Sequence, residues 1–167
     1  MTDVVVRRAG PEHLADLLRI YNHYVTETHV TFDTEPKTLA QRQVWLDQFQ
    51  ARGRYRCFVA VREGSVIGWA CSGRFKEKAG YDTSVETSIY LTPGEEGRGL
   101  GRRLYETLFD ALTGKDIHRA YAGVCLPNQA SIALHRSFGF EPLGTYREVG
   151  RKFGKYWDVA WYARAMN

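Results

Sequence analysis

The sequence predicts an α/β domain (of the α+β kind), with helices on both faces of a central mixed β-sheet. Three observations point there. Short β-rich runs follow one another across turn signals, as in Cys57–Arg62 and Val66–Arg74 separated by Glu63-Gly64-Ser65. Strand–helix–strand order then takes over, with Val85–Leu91 and Arg119–Cys125 flanking a helical stretch. In that stretch Leu100, Leu104, Leu108 and Leu112 recur every four residues, as on one helix face. Hairpins followed by such units imply a mixed sheet.

Each element has its own reason. Val4–Arg8 reads as a first strand. Pro11-Glu12-His13 opens a helix carrying Leu14, Leu17, Leu18, Tyr21 and Val25 on one side, because a first-turn proline lacks only an N–H with no helical partner. Val30–Pro36 is a loop containing Phe32. Thr38 caps a second helix, Leu39–Arg52, with Gln41 at the capping-box position. After the first hairpin, the polar loop Phe75–Thr83 leads into Val85–Leu91. The helix Leu100–Leu112 ends near Gly114. Asn128–Ser137 is a short helix, and Glu141–Gly150 and Trp157–Arg164 are the last strands.

The 167 residues fit one domain spanning 1–167, with no repeat or linker, and at this size roughly 70% of the extended-chain surface is buried. An apolar fraction of 44% with 13% aromatics suffices for a core. No 18-residue apolar run exists, so no membrane span or membrane partner is expected. The start lacks a basic segment followed by a long apolar one, so a cytoplasmic protein is expected. Cys57, Cys71 and Cys125 sit singly in β-like runs without metal or redox spacing, so they read as free thiols and no metal site is expected. The net charge of +4 is spread along the chain. It suits an anionic small ligand; clustered arginines with stacking aromatics on one face are not evident, so no nucleic acid is expected.

The most telling segment joins the strand to the leucine helix: Glu96-Gly97-Arg98-Gly99-Leu100-Gly101. Alternate glycines let a backbone turn tightly with several N–H groups pointing one way. The helix start adds unpaired N–H groups and the positive end of its dipole, a fit for phosphate oxygens. A Walker loop would need Gly-Lys-Ser/Thr, but Leu100 and Arg102 follow the glycines. A dinucleotide fingerprint counted from Gly97 would need glycine where Arg102 stands. Arg98, Arg102 and Arg103 oppose the helix dipole unless an anion is bound, whereas Glu95 and Glu96 would repel one. An ordinary glycine turn with a solvated basic rim stays open on these residues alone.

On the preceding strand Glu86, Ser88 and Tyr90 share one face, and Val85, Thr87, Ile89 and Leu91 share the other. The polar face runs straight toward the glycine loop, along the path of a ligand tail extending from bound phosphates. A carboxylate there, Glu86, can take a proton from an attacking amine.

The glycine loop resembles Gln/Arg-x-x-Gly-x-Gly/Ala, the pyrophosphate loop of the GCN5-related N-acetyltransferase (GNAT) superfamily, differing at Glu96. Asn128 to Phe140 is similar to that superfamily's Asn-x-x-Ala-x-x-Leu-Tyr-x-x-x-Gly-Phe signature, shifted by one small residue, with His135 in the tyrosine's place. More narrowly, the chain resembles the phosphinothricin and methionine sulfoximine/sulfone N-acetyltransferases. The matching segments are Asn22-His23-Tyr24, Val30–Pro36, Tyr81–Tyr90, Gly99-Leu100-Gly101, Leu126-Pro127-Asn128, Leu134-His135 and Gly154–Val159.

The resemblance implies the GNAT fold, a mixed and mostly antiparallel sheet with helices on both faces, and acetyl-CoA as co-substrate. It implies direct acetyl transfer to the free amine of a small amino-acid-like acceptor. Glu86 and His135 would handle protons, His135 at the departing thiolate. Ile89, Tyr90, Leu91, Gly97, Arg98, Gly99, Leu100, Gly101, Arg102, Arg103, Asn128 and Ser131 would hold the coenzyme. Phe32, Lys76, Lys78, Tyr81 and Tyr90 would surround the acceptor, Lys78 replacing an arginine of some members. A homodimer is also implied, in contact through the last strands and the acceptor loop. Two other readings stay open: a member acetylating protein N-termini or lysines, and a coenzyme-binding module without catalysis.

Overall fold

The computed structural model describes residues 3–166. Its elements along the chain are β1 (Val5–Arg8), α1 (Leu14–Glu27), α2 (Leu39–Asp47), β2 (Arg56–Arg62), β3 (Ser65–Arg74) and β4 (Ser84–Leu91). They continue with α3 (Leu100–Leu112), β5 (Arg119–Cys125), α4 (Gln129–Ser137), β6 (Glu141–Lys152) and β7 (Lys155–Ala165). The strands form one sheet in the order β1-β2-β3-β4-β5-β7-β6. Every neighbouring pair is antiparallel except β4 and β5, which run parallel. The mixed, mostly antiparallel sheet expected from the sequence is therefore present.

Helices α3 and α4 cover one face, α1 and α2 the other. On the first, Leu100, Leu104, Leu108 and Leu112 all pack against Phe58, Val85, Ala120 and Ala122. Each such fully buried leucine contributes roughly 1.5–3 kcal/mol. On the second, Leu17, Ile20, Leu46 and Phe49 meet Val59, Trp69 and Cys71. The central strand β3 is buried on both faces from Val66 to Ser72.

One buried stripe and two boundaries differ from the sequence expectation. The buried stripe of α1 runs through Leu17, Ile20 and Val25, with Leu18 half-buried at its edge. Helix α2 stops at Asp47 rather than Arg52, because Phe49 turns into the core and the Gln50 N–H bonds the Tyr55 carbonyl instead of a helical one. The last two strands extend to Lys152 and back from Lys155, joined by a tight turn in which Phe153 and Gly154 both have positive φ.

What shapes the site is where the parallel ladder ends. Strands β4 and β5 pair only through Ser84–Arg119, Val85–Ala120 and Glu86–Tyr121. Beyond Glu86 the two strands part, and a cleft opens between them.

Candidate active site

The cleft holds about 490 Å³ and is walled by Thr87–Leu91 on one side and Gly123–Cys125 on the other. Hydrogen-bond alternation decides which backbone groups face it. Thr92 donates across to the Ile67 carbonyl of β3, and Gly68 sits opposite Leu91 in the same register. In an antiparallel ladder the next residue along points its N–H and C=O the other way. The edge groups of Ile89 and Leu91 therefore point into the opening, where no strand receives them. One of these, the Leu91 carbonyl, accepts the Tyr24 hydroxyl at 2.5 Å.

At the cleft's far end lies the glycine loop. Gly97 and Gly99 have φ of +74° and +76°, values that a side chain would strain, and Gly99 is the N-cap of α3. The Arg103 N–H makes the first helical bond, to the Gly99 carbonyl. The preceding first-turn N–H groups are left to face outward with the positive end of the dipole. Glu96, the departure from the usual loop pattern, turns its carboxylate back to accept the Gly94 N–H at 2.8 Å. Glu95 is paired with Arg62 and lies 3.8 Å from Arg98. Glu95 is thus charge-paired, whereas Glu96 lines the cleft with a backbone N–H as its partner.

Ile89, Tyr90, Leu91, Gly97, Gly99, Leu100, Gly101, Arg102, Asn128 and Ser131 all line the cleft. Arg98 and Arg103 do not: Arg98 is exposed, and Arg103 donates to the Val4 carbonyl at 2.7 Å. Asn128 caps α4 through Oδ1, which accepts the Ser131 N–H at 3.2 Å, and its amide N–H groups remain available to a ligand.

Glu86 and His135 occupy opposite faces of β4. The face carrying Glu86 also carries Ser88 and Tyr90, beside Cys71 and Trp69 of β3. Burial pushes the Glu86 carboxyl above its ordinary value, as a general base requires. His135 is 3% exposed and lies on the α3 side, where burial lowers its pKa. Its Nδ1 lies 2.7 Å from the Ser131 carbonyl, which can only accept, so the neutral ring carries its proton on Nδ1. Nε2 then accepts from the Tyr105 hydroxyl at 2.8 Å, and that hydroxyl also meets Thr87 Oγ1 at 3.3 Å. Both Thr87 and His135 reach the cleft wall.

A second cavity, of about 310 Å³, lies on the Glu86 side of the sheet. Its walls include Tyr21, Asp33, Lys37, Arg42, Trp45 and Trp69. Ser88 and Tyr90 line both spaces, so one strand segment separates cleft from cavity. Of the acceptor residues expected from the sequence, Tyr90 is in this wall. Phe32 packs its ring onto Gly150, in the loop that Lys152 fastens by donating to the Thr31 carbonyl at 2.8 Å. Lys76, Lys78 and Tyr81 lie outside both linings on the exposed β3–β4 loop, with Lys76 Nζ 5.2 Å from the Tyr81 ring.

Sequence reasoning gave no site role to Tyr24, quoted only within a matching segment, and passed over Arg42 and Tyr105. Arg42 had one signal, its place one turn before Trp45 on a helix's inner face. Tyr105 had another: a hydroxyl beside the buried leucine stripe needs a partner.

A model of the acetyltransferase (GNAT) family matches residues 17–140. The chain is 53% identical over 166 residues to a phosphinothricin N-acetyltransferase of Streptomyces coelicolor, covering 98% of this chain and 97% of that protein. It is 37% identical over 155 residues to an L-methionine sulfoximine/L-methionine sulfone acetyltransferase of Pseudomonas paraeruginosa, covering 92% and 90% respectively. The structure of a GNAT superfamily phosphinothricin acetyltransferase from Sinorhizobium meliloti, in complex with AcCoA, matches with a TM-score of 0.91 and 32% identity. That match covers 99% of this chain and 89% of the other.

Proposed function

The chain belongs to the acetyltransferase (GNAT) family, and from that we propose that it acetylates the free amino group of a small amino-acid-like acceptor of the phosphinothricin or methionine sulfoximine type. It is an acyltransferase, and acetyl-CoA is its co-substrate. The observation that carries the reading is the parting of β4 and β5. It leaves backbone groups of Ile89 and Leu91 facing a cleft that ends at an anion-binding helix start.

The cleft residues fit this co-substrate. First-turn N–H groups of α3 and the loop at Gly97 and Gly99 suit a pyrophosphate, and the strand edges with the Asn128 amide suit the amides of an extended arm. Bound there, it supplies an acetyl group activated as a thioester. Glu86 takes a proton from the acceptor's ammonium, directly or through water, and the freed amine attacks the acyl carbon. A nitrogen–carbon bond forms as the carbon–sulfur bond breaks. The Leu91 N–H polarises the acyl oxygen. His135 serves the leaving thiolate as a relay: its neutral ring takes up the second proton, which the acylated nitrogen sheds, and the thiolate takes that proton from the ring, because burial makes the transient imidazolium a stronger acid than usual.

The small second cavity supports a compact acceptor over a polypeptide one. One domain, residues 1–167, carries all of these parts. Three free buried cysteines support a reducing, cytoplasmic setting, and among the described residues no helix is long and apolar enough to cross a membrane. We also propose a homodimer, supported by exposed Leu143, Tyr146, Val149 and Tyr156 on the β6–β7 hairpin. A monomeric mass by light scattering would refute it.

The test of function is release of CoA thiol from acetyl-CoA with phosphinothricin, methionine sulfoximine and ordinary amino acids as acceptors. Release with at least one of these is expected. Failure with all of them, while a peptide N-terminus is acetylated, would overturn the small-acceptor reading.

A further inference from the structure

Arg42 lies on the inner face of α2 and is only 3% exposed. Its Nε and Nη2 are buried without a hydrogen-bond partner. Its guanidinium carbon stands 3.4 Å from the ring centroid of Trp45, 4.6 Å from that of Tyr21 and 4.9 Å from that of Trp69. Aromatic faces stabilise a cation, but they do not accept bonds from in-plane N–H groups. Asp33, the one acidic side chain among the described residues lining the adjoining cavity, is already bonded to Tyr21 and Lys37. A buried cation with unspent donors is a costly arrangement, and burial accordingly lowers the Arg42 pKa to about 10. The cost is relieved when an anion arrives.

We propose that Arg42 anchors the carboxylate of the acceptor in the second cavity and thereby selects amino acids over simple amines. This rests on the reading of the chain as a small-acceptor acetyltransferase. Rings packed on the guanidinium leave its edge as the way in, and a planar fork matches a carboxylate with two parallel bonds. The cavity holds about 310 Å³, room for a compact amino acid. Ser88 and Tyr90, shared with the cleft, border the cavity on the face of β4 that also carries Glu86, which itself lines neither space and lies one strand step beyond Ser88.

The experiment compares methionine sulfoximine, whose one anionic group is its carboxylate, with its carboxamide. Wild type, Arg42→Lys and Arg42→Met are assayed for acetyl transfer. Acceptor binding is also measured by calorimetry in the presence of free CoA, which has no acyl group to give. For the free acid, Arg42→Met is expected to weaken KM and Kd at least about thirtyfold, equivalent to about 2 kcal/mol. Arg42→Lys, which keeps charge but loses the fork, should fall between. The carboxamide should bind wild type weakly and change less than about threefold between variants, and the KM for acetyl-CoA should hold. Equal losses for acid and amide, or wild type binding both alike, would overturn the proposal; the latter comparison needs no variant to fold. Carboxylate-dependent binding without transfer would leave the anchor standing and remove the proposed function instead.

Discussion

The Tyr105 hydroxyl sits 2.8 Å from Nε2 of His135, and the two residues close a buried chain that runs on to Thr87. Tyr105→Phe keeps the ring packing and leaves Nε2 without its donor. It should reduce stability by about 1–3 kcal/mol and lower kcat while sparing the KM for acetyl-CoA. Urea unfolding and steady-state kinetics check this; an unchanged kcat would reduce Tyr105 to a packing residue. The lowered pKa of His135 also sets a direction with pH. In the native state the ring resists the proton that the unfolded chain takes up below about 6.5, so this contribution is intact above that pH and lost as pH falls beneath it. Buried His13, lowered likewise, adds to the same trend.

Glu86→Gln should lower kcat by about 10²-fold or more and leave the KM for acetyl-CoA nearly unchanged, because the carboxylate acts on the acceptor's proton alone. In the wild-type pH profile the acid limb of kcat/KM should lie above the usual carboxylate range, because burial raises the Glu86 pKa and only the ionised form accepts a proton. The limb should vanish in the variant. A limb that survives belongs to another group.

Gly99→Ala places a side chain at φ +76° in the N-cap of α3, a cost of about 1–2 kcal/mol per residue in this conformation. The loop should relax away from the position that aligns its N–H groups. The KM for acetyl-CoA is expected to rise about tenfold with the acceptor KM unmoved. Equal rises in both would mean that the loop serves stability rather than phosphate.

Gly150→Ala tests the acceptor loop. A Cβ there would fall within the space of the Phe32 ring, so the ring must swing away or the hairpin must shift. Overpacking of this kind costs about 1–3 kcal/mol. The acceptor KM should rise several-fold while the KM for acetyl-CoA stays level. No change in acceptor KM would remove Phe32 from the acceptor's surroundings.

Much of this architecture is written locally and could be read from the chain. The capping box of Thr38 and Gln41, the leucine stripe of α3 and the two faces of β4 all depend on neighbours within a few residues. The glycine loop was legible for the same reason. Contacts between distant segments were not. Arg42 draws its meaning from Trp69 on β3, and Tyr105 from His135, thirty positions further on. Alternation in β4 announces which side chains share a face, but not that the ladder with β5 stops at Glu86. Lys76 and Lys78, prominent in the sequence for their charge, lie on an open loop outside both cavities, and a short charged run does not by itself say which cavity it will border.

The seam left between β4 and β5 has a thermodynamic corollary. A molecule whose sheet is unzipped at its centre completes its own secondary structure only when a guest lies along the gap. Occupancy and foldedness then become one equilibrium: a guest at a hundred times its dissociation constant adds about 2.7 kcal/mol to the native state. Acyl-donor supply would thus govern how long each copy of the enzyme survives, as well as how fast it works.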